Sequence, residues 1–427
     1  MAQDGKLTNS TESEKNNIRS SDVVFLLFLT LINVLNYIDR QLLPYFANWI
    51  VPELGLSNTQ FGLLSGLVFI FFYAIFGVFM GAIADRMNRT RLISYGLGFW
   101  SILTAVSGAA KGFLSLAVPR LFIGIGESVL TPAAMSILGD RFPQRWRGVA
   151  LGVFGMGPAI GIGASLLIVA YLEPILGWRG CFYLLGSLGV MLAIVMFFIS
   201  ETPRGKNFKH DQQKVSVPVI LGTLRHELGS SPALLLTMVG SMFYMIILGA
   251  SGFDMLWFVQ ERGFDKNEIA GLISWFAVAG GVIGNLVGGY GSDIFVRKTG
   301  IGRPFFLALI LLMLTPLNLA YRLVEPDNLF FMAGIFIVFF QMGCFYGPCF
   351  GTIQDLVDAR NRGVITGMMV MMLQLAAGIS MFIAGVMIDT LVESDTPEPY
   401  SKTLLFFTLI SFVSIPLFYW AGKISKR

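Results

Sequence analysis

Charge is what this sequence has least of. Asp, Glu, Lys and Arg make up 13% of its 427 residues and hydrophobic residues 55%, whereas a soluble domain carries roughly 25% charged residues. That balance excludes an ordinary soluble globule, and the apolar content excludes a disordered chain. Cysteine is nearly absent: Cys181, Cys344 and Cys349 all fall in apolar runs, too few for a disulfide scaffold and read as small buried residues. The two histidines, His210 and His226, have no cysteine or carboxylate companions at ligand spacing, so no metal is expected. There is no Gly-x4-Gly-Lys-Ser/Thr loop and no Gly-x-Ser-x-Gly or cysteine-nucleophile context, so neither ATP use nor enzyme chemistry is expected. No cofactor and no nucleic-acid partner are expected either. Energy would have to come from a gradient, with protons the expected ion.

What the chain has instead is long apolar runs. They fall at about 23–46, 61–83, 92–110, 113–136, 148–171, 180–200, 233–259, 269–291, 304–321, 329–351, 364–390 and 403–421. Each is long enough to cross a bilayer, and in hydrocarbon each must satisfy its own backbone amides, which makes them helices rather than strands. The expected fold is therefore an all-α membrane protein of twelve transmembrane helices, in two six-helix bundles around a central cavity. Residues 1–22 read as a disordered cytoplasmic tail, 23–200 as the first bundle, 201–232 as a cytoplasmic linker, 233–421 as the second bundle and 422–427 as a second tail. With the amino terminus inside, the Lys and Arg of the loops collect on the cytoplasmic side. Only Lys111, Arg179, Arg262, Lys266, Arg322 and Lys402 are assigned outside, while Arg40 and Arg120 sit within apolar runs.

The two halves repeat. Asp140, Arg147-Gly148 and Gly152 recur 215 positions later as Asp355, Arg362-Gly363 and Gly367, and Asp39 recurs at the same offset as Asp254. Gly81 and Asp85 recur 208 positions later as Gly289 and Asp293. A parallel repeat of this kind is the mark of a transporter whose halves rock about a central site, which disfavours a passive channel.

The loop after the second run reads Gly81-Ala82-Ile83-Ala84-Asp85-Arg86-Met87-Asn88-Arg89-Thr90-Arg91. It resembles the signature of the major facilitator superfamily: Gly, three residues, Asp-Arg, two residues, Arg, then a basic residue. Asn88 stands where Gly is usual, and Thr90 displaces the last basic residue to Arg91. Such a loop is expected to act as a conformational latch, with Gly81 allowing close helix approach and Asp85 meeting a helix N-terminus or Arg86 and Arg89. Asp140, Arg147, Asp293, Asp355 and Arg362 are the matching latch candidates. In the fifth run Gly152, Gly155, Gly157-Pro158, Gly161 and Gly163 resemble the antiporter signature of that superfamily, which implies export. Their spacing also fits plain helix packing with a bend at Pro158.

Span 1 holds Asn33, Asn36, Tyr37, Asp39 and Arg40 in otherwise apolar sequence. Asn36-Tyr37-Ile38-Asp39-Arg40, Phe99-Trp100-Ser101 and Gly124-Ile125-Gly126-Glu127-Ser128 together resemble the spinster branch of the superfamily, whose members are linked to export of lysolipids and sphingoid lipids. Helix rise places Asp39 and Arg120 at about the same depth, roughly 24 Å from the inner surface, and Glu127 about 10 Å below Arg120 on the same helix face. Membrane-embedded charges need partners. Asp39, Arg40, Arg120 and Glu127 are therefore expected to form one cluster lining the first half of the cavity, with Glu127 exchanging the proton. Asn33, Asn36, Tyr37, Gln341 and Gln374 are weaker cavity candidates. The expected function is proton-coupled antiport exporting an amphipathic, lipid-like substrate; a proton-coupled multidrug exporter and a proton-independent uniporter are the alternatives. The expected setting is a bacterial cytoplasmic (inner) membrane, and the expected assembly a monomer in its lipid bilayer.

Overall fold

The computed structural model describes residues 19–84, 86–203, 217–358 and 361–425. Among them every regular element is a helix. Ten segments are long and apolar enough to cross a membrane, and one of these, Arg145–Phe198, runs for 54 residues and crosses twice. It turns back at Gly177, whose φ of 65° is the left-handed conformation that glycine adopts without strain. The remaining crossing, Arg89–Ser107, is more polar because Arg89, Arg91, Ser94 and Ser101 lie on it. That makes twelve, and the chain is a multi-pass integral membrane protein.

Span 1 is Ser20–Tyr45; span 2 is Asn58–Ser65 continued by Leu67–Ala84; span 3 is Arg89–Ser107; span 4 is Phe113–Glu127 continued by Leu130–Arg141. Span 5 is built of Gln144–Phe154 and Gly157–Leu167 with a wide turn at Ile168–Leu172, and span 6 is Glu173–Phe198. In the second half, span 7 is Pro232–Ala250 and Asp254–Gln260, joined by a tight turn at Ser251–Phe253. Span 8 runs from Lys266–Leu286 through Val287–Gly291 to Ser292–Thr299. Spans 9, 10 and 11 are Arg303–Leu323, Leu329–Leu356 and Arg362–Glu393, and span 12 is Pro399–Ser411 continued by Ser414–Ile424. A helix at Val217–Ser230 precedes span 7.

Local sequence explains where several spans begin. Ser57 caps span 2 through a reciprocal bond with Gln60, and Asn88 accepts from the Arg91 amide to start span 3. Asp265 starts span 8 by accepting from the amides of Asn267 and Glu268. Those donors hold its carboxyl below the usual carboxylate range, so the cap is complete at neutral pH and is lost only as acid protonates it.

An even number of crossings puts both chain ends on one face, termed here the tail face. The halves meet toward the opposite, far face. Asn48 Nδ2 donates to the Met255 carbonyl at 2.6 Å, and Asn267 Nδ2 donates to the Val169 carbonyl at 2.8 Å and to Glu173 at 3.1 Å. Asp389 accepts from the amides of Asn58 and Thr59 at 3.0 and 2.7 Å. Beneath it, spans 2 and 11 cross backbone to backbone, since a Cβ on Gly62 would lie 2.5 Å from the Met381 carbonyl oxygen and one on Gly66 2.6 Å from that of Gly378. Toward the tail face the equivalent glycines of spans 5 and 11, Gly148, Gly152, Gly363 and Gly367, stand beside open space. The molecule is closed at the far face and open at the tail face.

Candidate functional site

The charged residues of spans 1 and 4 meet in one nest. Arg40 Nε donates to Glu127 Oε2 at 2.6 Å, with Glu127 fully buried and the Arg40 side chain 10% exposed. Asp39 points away from Arg40, as consecutive helix positions must, and its Oδ2 accepts from Trp100 Nε1 of span 3 at 3.1 Å. Arg120 binds the main chain rather than the Asp39 carboxylate, donating through Nη1 to the Asp39 carbonyl at 3.1 Å and through Nη2 to the Arg40 carbonyl at 2.9 Å. Pro44 explains the second bond: it has no N–H to return to the carbonyl four residues earlier, so the Arg40 carbonyl is left for Arg120. Sequence reasoning missed Pro44, although it was readable as a proline four residues past the charged pair.

Aromatic faces complete the nest. The Arg40 guanidinium lies 4.3 Å from the Tyr73 ring centre, 4.9 Å from Tyr37 and 5.3 Å from Phe69, and Arg120 lies 5.0 Å from Phe69. Phe69 and Tyr73 of span 2 were also missed, because two aromatics in a run as apolar as Leu67–Ala84 carry no separate signal. Asp39 Oδ1, Glu127 Oε1, Asn36 Nδ2 and Arg120 Nε find no hydrogen-bond partner. The nest thus holds two carboxylates and two guanidiniums, one pair of them in contact, with polar atoms to spare.

Some expectations need correction. The four charges do not line the cavity openly: Asp39, Arg120 and Glu127 are all buried, because Tyr37, Phe69 and Tyr73 close over Arg40. Asn33 is not a cavity residue, since it is buried and donates to the Phe154 carbonyl at 2.8 Å, where span 5 breaks. Its side chain fills the space that Gly157 leaves, and Gly161 makes room for Tyr37; Pro158 begins the segment after the break. Gly152, by contrast, packs against nothing and faces open space. Gln341 is buried within the second bundle, its Oε1 accepting from Asn318 Nδ2 at 2.6 Å, while Gln374 is half-buried. Arg322, expected in a far-face loop, is buried in the last turn of span 9 and binds Asp254 at 2.8 Å. Span 9 extends two residues past its expected end, which draws Arg322 inside.

The latch residues assemble at the tail face in two parallel sets. Arg89, 1% exposed, donates to Asp140 at 2.5 Å, to Glu201 at 2.8 Å and to the Thr202 carbonyl at 2.8 Å. In the second half Arg303 binds Asp355 at 2.8 Å and also Asp293. Arg147 donates to the Phe142 carbonyl and Arg362 to the Val357 carbonyl, so the repeat extends to bonding partners. Gly81 lies in span 2, Arg86 is exposed, and Asp85 lies outside the described residues. Replacing Arg89 by Ala should leave two carboxylates without their shared cation and cost about 3 kcal/mol or more, read as a fall in Tm of the detergent-solubilised protein. Among the described residues no three Cys, His, Asp or Glu side chains converge as metal ligands would.

Two six-helix halves, closed at one face and open at the other around buried charges, define a secondary transporter. Residues 29–381 match the profile of the Major Facilitator Superfamily, and the chain belongs to that family. It is 25% identical to an MFS-type efflux pump of Mycolicibacterium smegmatis, over 93% of this chain and 92% of that protein. It is 26% identical to a probable L-galactonate transporter of Escherichia coli, over 91% of this chain and 86% of that one. Its fold is similar to the crystal structure of a bacterial homolog of the human lysosomal transporter spinster in an inward-facing, unoccupied conformation, with a TM-score of 0.83 and 22% identity over 96% of this chain and 98% of that one.

Proposed function

We propose that this transporter is a proton-coupled antiporter that exports amphipathic, lipid-like molecules of the lysolipid or sphingoid type. It would work as a monomer in a bacterial cytoplasmic membrane, with both termini inside and residues 23–200 and 233–421 rocking as two bundles. The observation that carries this reading is the Arg40–Glu127 contact within a charge-balanced nest. The ionised Glu127 carboxylate, with the aromatic faces of Tyr37, Phe69 and Tyr73 around its Arg40 partner, can take a cationic head group in place of Arg40, whereas one proton on Glu127 removes the charge that would hold it. Proton and head group would compete for one carboxylate, which is the logic of exchange. The lipid-like substrate rests on the spinster resemblance of spans 1, 3 and 4 and on the similar spinster-homolog fold.

The test is lumenal pH in proteoliposomes of the purified protein as lysolipids, sphingoid bases, cationic dyes and galactonate are added in turn. Lysolipid or sphingoid base should evoke proton movement. A response to cationic dyes alone would favour multidrug export, in keeping with the efflux-pump relative, and a response to galactonate alone would favour a sugar-acid substrate. Substrate crossing with no proton movement would leave a uniporter.

A further inference from the structure

The second half contains a polar pocket that lies within its own bundle, between spans 7, 9, 10 and 12, and is not part of the charged nest. It has a volume of about 40 Å³, with Tyr244, Ser251, Asn318, Tyr321, Arg322 and Gln341 among its lining residues. Three of these are buried and carry a polar atom without a partner: Arg322 Nε, Gln341 Nε2 and Asn318 Oδ1. Two donors and an acceptor, one of them on a cation, surround a space that holds about three water molecules at 10–15 Å³ each. A buried guanidinium edge left bare is costly, and an apolar occupant would not relieve it.

The pocket lies beside a break in the chain. Span 7 stops at Ala250, turns through Ser251–Phe253 and resumes at Asp254, the residue that binds Arg322. The next residue, Met255, offers its carbonyl to Asn48 of the first half. The outer piece of span 7 is thus tied to span 9 by one bond and across the far-face closure by another. Arg322 also lies 4.4 Å from the ring centre of Tyr321, its neighbour on span 9, so the cation keeps an aromatic face even if the outer piece of span 7 moves.

We infer that this pocket is a water-binding site whose molecules bridge Arg322, Asn318 and Gln341. The bound water is the alternative partner that lets the Asp254–Arg322 pair part when the outer piece of span 7 shifts with the far-face closure. This holds for any substrate and any coupling ion. The pair would be a hydrated hinge rather than a static brace.

Synchrotron hydroxyl-radical footprinting of the full chain in nanodiscs tests it, because radicals made from bound water label the side chains beside it. Tyr244 and Tyr321, both buried, should be labelled, whereas Phe46 and Phe182, equally buried but packed on each other in the first half, should not. Labelling of the two tyrosines should be lost in the Asn318→Leu/Gln341→Leu variant. If Tyr244 and Tyr321 stay as silent as Phe46 in the unaltered protein, the water site is wrong, and that result needs no variant to fold. For the hinge, the leucine variant or the milder Gln341→Met should lower transport turnover with substrate binding unchanged; unchanged turnover in a protein whose labelling is lost would overturn it.

Discussion

Replacement of Glu127 by Gln is expected to abolish substrate-evoked proton movement while the protein still folds. Glutamine keeps the shape and one acceptor for Arg40 Nε, which now sits 2.6 Å from Glu127 Oε2, but it can neither take up nor release a proton. Arg40 keeps the ring faces of Tyr73 and Tyr37, and its side chain is not wholly enclosed, so it is not left as a bare buried charge. Net gradient-driven flux should be lost entirely. Glu127→Leu removes the acceptor as well and should cost about 3 kcal/mol or more in stability, as loss of one partner of a buried pair does. The readout is lumenal pH and radiolabelled substrate in parallel proteoliposomes. Undiminished proton movement in the Gln variant would show that the coupling proton binds elsewhere, with Asp39 the next carboxylate to test.

The fold was legible because apolarity and length set it: each expected run falls on a helix, with ends that differ by a few residues, since most helices begin before the expected start while spans 3 and 6 end at Ser107 and Phe198, short of the expected 110 and 200. Fusion of spans 5 and 6 into one helical stretch was not legible, since Gly177 is one glycine among 48. The charged nest was legible from depth alone, as Asp39 and Arg120 reckon to the same level. Its bonding was not: that Arg120 would take main-chain carbonyls follows from Pro44, and that Asp39 would face Trp100 follows from helix rotation, which a depth count ignores. Arg322 was misplaced because a charge at the end of an apolar run looks like the first loop residue until a buried partner, here Asp254, is known. Arg303 escaped notice for the opposite reason. It lies in a basic loop where positive-inside bias already explains every cation.

Replacement of Asp389 by Ala should shift the protein from its far-closed toward a far-open conformation. Asp389 sits on span 11 and accepts three bonds from the start of span 2: the Asn58 amide at 3.0 Å, Asn58 Nδ2 at 2.9 Å and the Thr59 amide at 2.7 Å. It thereby caps a helix of the other half with a full negative charge, where the helix dipole favours one. Bonds to a charged group contribute about 1.5–3 kcal/mol each. Water replaces part of this once the closure opens, so a net loss of about 3 kcal/mol, or roughly a hundredfold in the equilibrium, is the expected scale. Tyr400 still reaches Asn58 Oδ1 at 2.9 Å and the glycine crossing below persists, so the closure should weaken rather than vanish. Spin labels at Lys111→Cys and Asp327→Cys, exposed positions on the far-face loops of the two halves, report the opening, and the three native cysteines are buried and should stay unlabelled. The distance distribution should move to longer values in the Asp389→Ala protein and only partly so with Asn, which keeps one acceptor. An unchanged distribution would mean that close packing of spans 2 and 11 alone holds the far face. Any anionic group that a substrate brought to the start of span 2 would then have nothing to displace.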